Sequence, residues 1–235
     1  MLKMYNFLLD LLFPKYCLGC QKEGNFICEN CFKNIQINEF LNCFICGRRS
    51  LDNRVCPDCK KKTELTGILI AGFWEDLLLR QLIYEYKYRF IRDLSKPLSQ
   101  ILVNFLKTSG LYYYPVDDLI LVPIPLHPKR LTWRGFNQAE LLAKEISNYL
   151  DMPMMKLLKR KRNTKPQAEI KRQKERKENI KSAFMISRDS TPLFENKIII
   201  LIDDITTTGS TLEECAKVLK PLKPKEIWGL VLARG

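Results

Sequence analysis

The residues best suited to chemistry are an adjacent acidic pair, Asp203 and Asp204, followed by Thr206, Thr207, Thr208, Gly209, Ser210 and Thr211. Five of those six loop residues carry a hydroxyl, more than a single helix cap would use. Hydroxyls and backbone N–H groups donate to phosphate oxygens, and a glycine can take the positive φ that lets a ligand approach the backbone. Carboxylates accept what sugar hydroxyls donate, and together with phosphate oxygens they suit Mg²⁺. The pattern fits a ribose with vicinal hydroxyls and a 5-phosphate. Two other phosphate loops are absent, since the chain contains neither G-x-x-x-x-G-K-[ST] nor G-x-G-x-x-G.

A second set of reactive residues is the cysteines. Eight of nine fall into C-x-x-C pairs, Cys17/Cys20, Cys28/Cys31, Cys43/Cys46 and Cys56/Cys59. A closed structural zinc site takes four thiolates, so the count fits two sites with no open position. The short intervals Cys20–Cys28 and Cys46–Cys56 favour sequential pairing, with Cys17, Cys20, Cys28 and Cys31 in one site and Cys43, Cys46, Cys56 and Cys59 in the other. A cross-braced arrangement stays open. No export signal precedes the pairs, which points to metal binding in a reducing cytoplasm rather than to disulfides.

Elements must position these groups. Ile198–Ile202 is a short, β-branched apolar run that reads as a buried strand ending at the acidic pair. Leu212, Cys215, Ala216 and Leu219 form the inward stripe of a helix, so the hydroxyl loop feeds a helix N-terminus, where unpaired N–H groups and the dipole favour an anion. Further strands are expected at Ile68–Trp74, Leu119–Ile124, Met154–Leu158 and Glu226–Leu232. Helices are expected at Asp76–Tyr88, at Leu94–Lys107 and from a cap at Asn137 to Leu150. This alternation predicts an α/β domain over 63–235, preceded by a cysteine-rich module over 1–62. His127, the only histidine, reads as a hydrogen-bonded structural residue, and Cys215 as a small core residue.

At 235 residues and 46% hydrophobic content the chain can build a packed core. Its net charge of +13 is concentrated, because Lys156–Lys181 holds twelve basic and three acidic residues. Such a segment reads as a mobile solvated loop and points to a polyanionic partner. Nothing in the sequence spans a membrane. Met1–Phe13 is apolar but short and interrupted by Asp10, and reads as a packing helix.

The stretch IILIDDITTTGST is similar to the ribose-5-phosphate loop of type I phosphoribosyltransferases. With VPIPLHPKRLTWRGFNQAELLA at Val122–Ala143, RNTKPQ at Arg162–Gln167, RKENIKSAF at Arg176–Phe184 and the cysteine module, the whole resembles the ComF family of bacterial competence and DNA-utilisation proteins. The resemblance implies a type I phosphoribosyltransferase-like fold with a mostly parallel central sheet, preceded by a double zinc ribbon. It implies phosphoribosyl pyrophosphate, or a related nucleotide, as ligand, with Mg²⁺. Thr206–Thr211 would hold the 5-phosphate, and Asp203 and Asp204 the ribose hydroxyls or the metal shell. Lys129, Arg130 and Arg134 would face the pyrophosphate. The basic segment would take the place of a hood over the reaction centre, with Arg160, Arg162, Gln167 and Arg176 matching the family pattern. No motif specifies an acceptor. Two other uses of the same fold are a non-catalytic sensor of phosphoribosyl pyrophosphate and a factor that handles single-stranded DNA beside DNA-uptake proteins.

Overall fold

The computed structural model describes residues 14–164, 170, 172–187 and 194–235. The expected packing helix at Met1–Phe13 lies outside the described residues. In the cysteine-rich part, Cys28 and Cys56 stand at the N-caps of two one-turn helices, α1 (Glu29–Lys33) and α2 (Pro57–Lys60). Next come β1 (Gly67–Phe73), α3 (Leu77–Tyr88), α4 (Ser95–Thr108), β2 (Leu119–Pro123), α5 (Pro128–Arg134) and α6 (Gln138–Leu150). Then follow β3 (Leu158–Arg160), α7 (Gln173–Ile180), β4 (Phe184–Ile186), β5 (Ile198–Ile202), β6 (Ile205–Thr206), α8 (Ser210–Leu219) and β7 (Glu226–Arg234).

The central sheet runs β1-β7-β5-β2, with every pair parallel, and β6 extends it by pairing with β7. Successive side chains of a strand point to opposite faces, so one apolar run serves two cores. On β5, Ile198, Ile200 and Ile202 join Leu79, Leu82, Leu98, Leu102 and Leu142 from α3, α4 and α6. Ile199 and Leu201 join Leu212, Cys215, Ala216 and Leu219 from α8. Caps set where helices start. The Asp76 carboxylate accepts from Leu78 N–H and Leu79 N–H, both at 3.0 Å, and Asn137 Oδ1 accepts from Ala139 N–H at 3.2 Å.

The cysteine-rich part covers the outer edge of β1, where an uncovered strand would offer unpaired backbone groups. Ile37 bridges Gly72 and Arg54 bridges Gly67, both antiparallel, and Asn38 N–H donates to Ala71 C=O at 2.8 Å. Gly67 is needed for this approach, because a Cβ there would stand 2.3 Å from the Asn53 carbonyl oxygen.

Two sequence expectations are corrected. The strand expected at Met154–Leu158 begins only at Leu158, and Met154 makes a single parallel bridge to Leu121. Leu121 N–H donates to the Pro153 carbonyl and Met155 N–H to the Leu121 carbonyl, both at 2.9 Å, and Pro153, with no N–H to donate, keeps the pairing from starting earlier. The basic segment is not simply a loop: among the described residues it forms β3, α7 and β4, with β3 and β4 antiparallel. Its apolar anchors are Leu158, Ile180, Ala183 and Phe184 near its ends and Ile170 in its middle. The Lys, Arg, Glu and Gln residues between them are good helix formers. No helix among the described residues is long and apolar enough to cross a membrane.

Candidate functional site

The structure groups the cysteines sequentially. Cys17, Cys20, Cys28 and Cys31 bring their ligand atoms within 4.8 Å of one another, and Cys43, Cys46, Cys56 and Cys59 do the same. The Cys20–Cys28 and Cys46–Cys56 sulfur separations are both 3.6 Å. A tetrahedron with Zn–S bonds near 2.3 Å has edges of about 3.8 Å. Neighbouring sulfurs push the Cys31 thiol up to about 12, and burial with neighbouring sulfurs does the same to Cys59, while donors favour the thiolate at other positions. Cys28 N–H points at Cys17 Sγ, 3.3 Å away, and the Arg48 backbone N–H and guanidinium pull the Cys46 thiol down to about 6. Both groups fit closed structural zinc sites.

The second site lies where the ends of β2 and β5 face the start of α8, as expected for a ligand crevice in an open parallel sheet. It is a cavity of about 270 Å³ whose lining includes Asp203, Asp204 and every residue from Thr206 to Thr211. Gly209 is the N-cap of α8 with φ of +77°. Its N–H donates to Thr206 Oγ1 at 3.1 Å, and Thr208 Oγ1 lies 2.6 Å from Ser210 Oγ. Ser210 N–H donates to Thr208 Oγ1 at 3.4 Å, and the Thr211 and Leu212 amides that follow have no intrahelical acceptor, which leaves donors at the start of α8. A Cβ at Gly209 would stand 3.1 Å from Ile68 Cδ1 and 3.2 Å from Phe44 Cε2. Gly209→Ala should therefore lose about 1–3 kcal/mol of stability, readable as a shift in the denaturant midpoint.

Charges of both signs line the cavity. Lys87 Nζ donates to Asp204 Oδ1 at 2.9 Å with both side chains largely buried. Asp203 makes no ion pair among the described residues and accepts from Asp204 N–H at 2.9 Å. Burial, and after it the charge of Asp204, raise the Asp203 carboxyl to about 7, against the opposing pull of Lys87 and Arg160. Arg130, Arg134 and Arg160 line the cavity as well. Arg130 donates to the Thr164 carbonyl, and Arg134 Nη1 donates to Gln138 Oε1 at 3.2 Å. Arg160 is only 9% exposed, lies over the Phe184 ring at 5.3 Å and donates to Thr164 Oγ1 at 2.5 Å. Burial and the neighbouring Arg130 bring it down to about 10. Three buried donors have no acceptor among the described residues: Arg134 Nε, Gln138 Nε2 and Arg160 Nε.

Of the residues singled out in sequence, the acidic pair, the hydroxyl loop, Arg130, Arg134 and Arg160 meet around this cavity. Three others do not line it. Lys129 lies on α5, where its N–H donates to His127 Nδ1 and thereby gives the histidine its capping role. Arg162 donates to the Lys181 carbonyl at 2.5 Å, and Arg176 Nε to the Ile170 carbonyl at 2.7 Å. Gln167 lies outside the described residues. Lys87, Tyr88, Trp133 and Gln138 line the cavity too, and sequence reasoning assigned none of them to the site, since helical spacing favours a core or rim face for Tyr88 and its neighbours. Gln138 is held by the buried Tyr86, whose hydroxyl donates to the Gln138 carbonyl at 2.9 Å.

Two family models match the chain, a phosphoribosyl transferase domain over residues 137–235 and a double zinc ribbon domain over residues 8–60. Competence protein F of Haemophilus influenzae is 30% identical over 227 residues, an overlap of 92% of this chain and 96% of that protein. Competence protein ComFC of Bacillus subtilis is 27% identical over 82% of this chain and 77% of its own length. The DNA utilization protein YhgH of Escherichia coli is 27% identical over 82% of this chain and 90% of its own. Identity sustained over nearly all of both chains settles the ancestry: the protein belongs to the ComF family of competence and DNA-utilisation proteins.

Proposed function

We propose that the chain binds phosphoribosyl pyrophosphate with Mg²⁺ through the loop Ile199–Thr211 and acts as a phosphoribosyltransferase-type protein in bacterial competence or DNA utilisation. In this reading residues 63–235 form the ligand-binding domain and 1–62 the zinc module. The observation that supports it is the set of three buried donors without an acceptor among the described residues, Arg134 Nε, Gln138 Nε2 and Arg160 Nε, at a cavity also lined by an acidic pair and a hydroxyl loop. A buried donor left without an acceptor costs about 1–3 kcal/mol, which an anion in the cavity would recover. A molecule with phosphate at one end, pyrophosphate at the other and a sugar between matches that arrangement.

Each group then has a role. The turn at Thr206–Ser210 and the start of α8 bind the 5-phosphate. Asp203 and Asp204 accept from the ribose hydroxyls, and Lys87 fixes the orientation of Asp204. Arg130, Arg134 and Arg160 gather the pyrophosphate. Loss of pyrophosphate from the anomeric carbon leaves positive charge on the sugar and negative charge on the leaving group. Preorganised charge of both signs in the cavity lowers that barrier without a covalent nucleophile. Asp203 and Asp204 would hold Mg²⁺, which when bound would neutralise pyrophosphate charge.

Calorimetric titration with phosphoribosyl pyrophosphate and Mg²⁺ tests the reading. The wild type should bind, and Asp203→Asn with Asp204→Asn should weaken binding at least about 100-fold, roughly 2.7 kcal/mol, with zinc content and cooperative melting retained. Unchanged affinity in the double variant would sink the site assignment, and failure of the wild type to bind would sink the ligand. Pyrophosphate release with candidate acceptors then separates an enzyme from a sensor.

A further inference from the structure

The end of β7 joins the two sites. β6 pairs with it at Ile205↔Ala233 and Thr206↔Arg234, and Gly235 N–H donates to the Thr206 carbonyl at 2.9 Å. From this position the Arg234 guanidinium reaches in two directions. Its Nε donates to the Thr207 carbonyl at 3.1 Å, and its Nη1 donates to the Phe44 carbonyl at 2.9 Å. Phe44 follows Cys43 in the second four-cysteine group, inside the Cys43–Cys46 knuckle. Its ring also abuts Gly209, with Cε2 3.2 Å from the Cβ position of that residue. One knuckle therefore touches the hydroxyl loop twice, once by a carbonyl through Arg234 and once by a ring at the N-cap of α8.

The position of Phe44 depends on the knuckle keeping its shape. Cys43 N–H donates to the Arg48 carbonyl and Gly47 N–H to the Cys43 carbonyl, both at 2.9 Å, with Gly47 at φ of +74°. This tight turn closes around sulfurs that a metal would hold together. The first four-cysteine group packs elsewhere: a Cβ at Gly19 would stand 2.8 Å from Cys31 Sγ and 3.3 Å from Leu78 Cδ2 of α3.

We propose that the second four-cysteine group controls the conformation of the loop Thr206–Ser210, with Arg234 as the positioning residue and Phe44 as the buttress. Metal in that group and ligand in the loop then stabilise each other, and the coupling is reciprocal. Only the ligand half of this statement rests on the function proposed above.

The test uses the full, zinc-loaded chain with Arg234→Gln and, separately, Phe44→Ala. Arg234 is exposed, so its substitution leaves the core intact, and Phe44→Leu serves if Phe44→Ala misfolds. Hydrogen exchange at amides 206–212, measured without ligand, should accelerate about tenfold in both variants while zinc content stays at the wild-type level. That factor corresponds to about 1.4 kcal/mol of lost local protection. Phosphoribosyl pyrophosphate should slow alkylation of Cys46 by iodoacetamide in the wild type, read by mass spectrometry, and lose that effect in Arg234→Gln. Wild-type exchange rates across 206–212 in both variants would overturn the proposal. If the wild type binds no phosphoribosyl pyrophosphate, the proposed ligand falls while the exchange comparison still decides the coupling.

Discussion

Stripping zinc with a strong chelator should melt residues 14–62 and lower the thermal transition of the remainder by more than about 10 °C. Of the described residues up to 62, the buried apolar ones are Ile27 and Ile35 apart from three of the cysteines. The two helices have five and four residues, far below the length at which a helix persists alone. Metal ligation, on the order of 10 kcal/mol per structural site, is the available source of order. The effect should spread, because this part supplies the partners of β1: the bridges at Gly67 and Gly72, Asn38 Nδ2 donating to the Ile70 carbonyl at 3.0 Å, and Val55 N–H donating to the Thr66 carbonyl at 2.8 Å. Freed of them, β1 becomes a sheet edge open to another chain. Light scattering should therefore rise with zinc loss, and re-addition of zinc before aggregation should restore the transition. A metal-free chain that melts like the loaded one would contradict the assignment of both cysteine groups.

Asp203→Asn should make the unliganded protein more stable at pH 8 while weakening its ligand. An ordinary aspartate has a pKa near 3.9, whereas burial and Asp204 hold Asp203 at about 7 in the folded chain. Between those values the folded state keeps a proton that the unfolded state has released, so this group makes stability fall as pH rises. The loss is absent below about pH 4, grows up to about pH 7 and stays constant above it. Asn carries no charge and escapes it. The full shift would correspond to about 4 kcal/mol, and because Asp203 is only half-buried, solvent screening reduces this to about 1–2 kcal/mol, a few degrees of melting temperature. The stability difference between variant and wild type, followed by denaturant unfolding, should widen from pH 4 to pH 7 and then level. A variant less stable than wild type at pH 8 would contradict it. In the proposed function such a residue reduces the stability of the empty site in return for a charge that the ligand and metal would use.

How much of this was legible in the sequence depended on distance along the chain. Ile198–Ile202, the acidic pair and the hydroxyl loop are contiguous, so their order states strand, site and helix directly. The cysteine grouping followed from intervals for the same reason. Lys87 was harder, because on α3 it sits one residue from the buried Tyr86 and carries no local mark. Only the fold brings its Nζ to Asp204, 117 positions away. Gln138 reads locally as an ordinary first residue of a helix, and that its amide lacks an acceptor among the described residues shows only when Arg134 and Tyr86 are in place beside it. Arg234 ends an apolar strand and looks like a solvated terminus, yet its carbonyl partners lie at positions 44 and 207. The basic segment was misread as a loop because its buried anchors, Leu158, Ile170 and Ile180, are few and widely spaced in a run whose composition is set by charge.

The place of β7 in the sheet has a consequence for how the chain acquires its structure. This strand lies between β1 and β5, and Ile227 N–H reaches Thr66 Oγ1 across 161 positions. Such long-range closure is slow, because most of the chain must be confined before the central strand can dock. β1 spends that interval without its inner neighbour. The cysteine-rich part pairs with the other edge of β1 through far more local contacts, at Ile37 and Arg54. With metal bound it can form first and shield one side of the waiting strand. Pulse-labelled hydrogen exchange during refolding should find amides near Cys17–Cys59 protected before those of 226–234, and zinc-free refolding should divert molecules to aggregates at that stage.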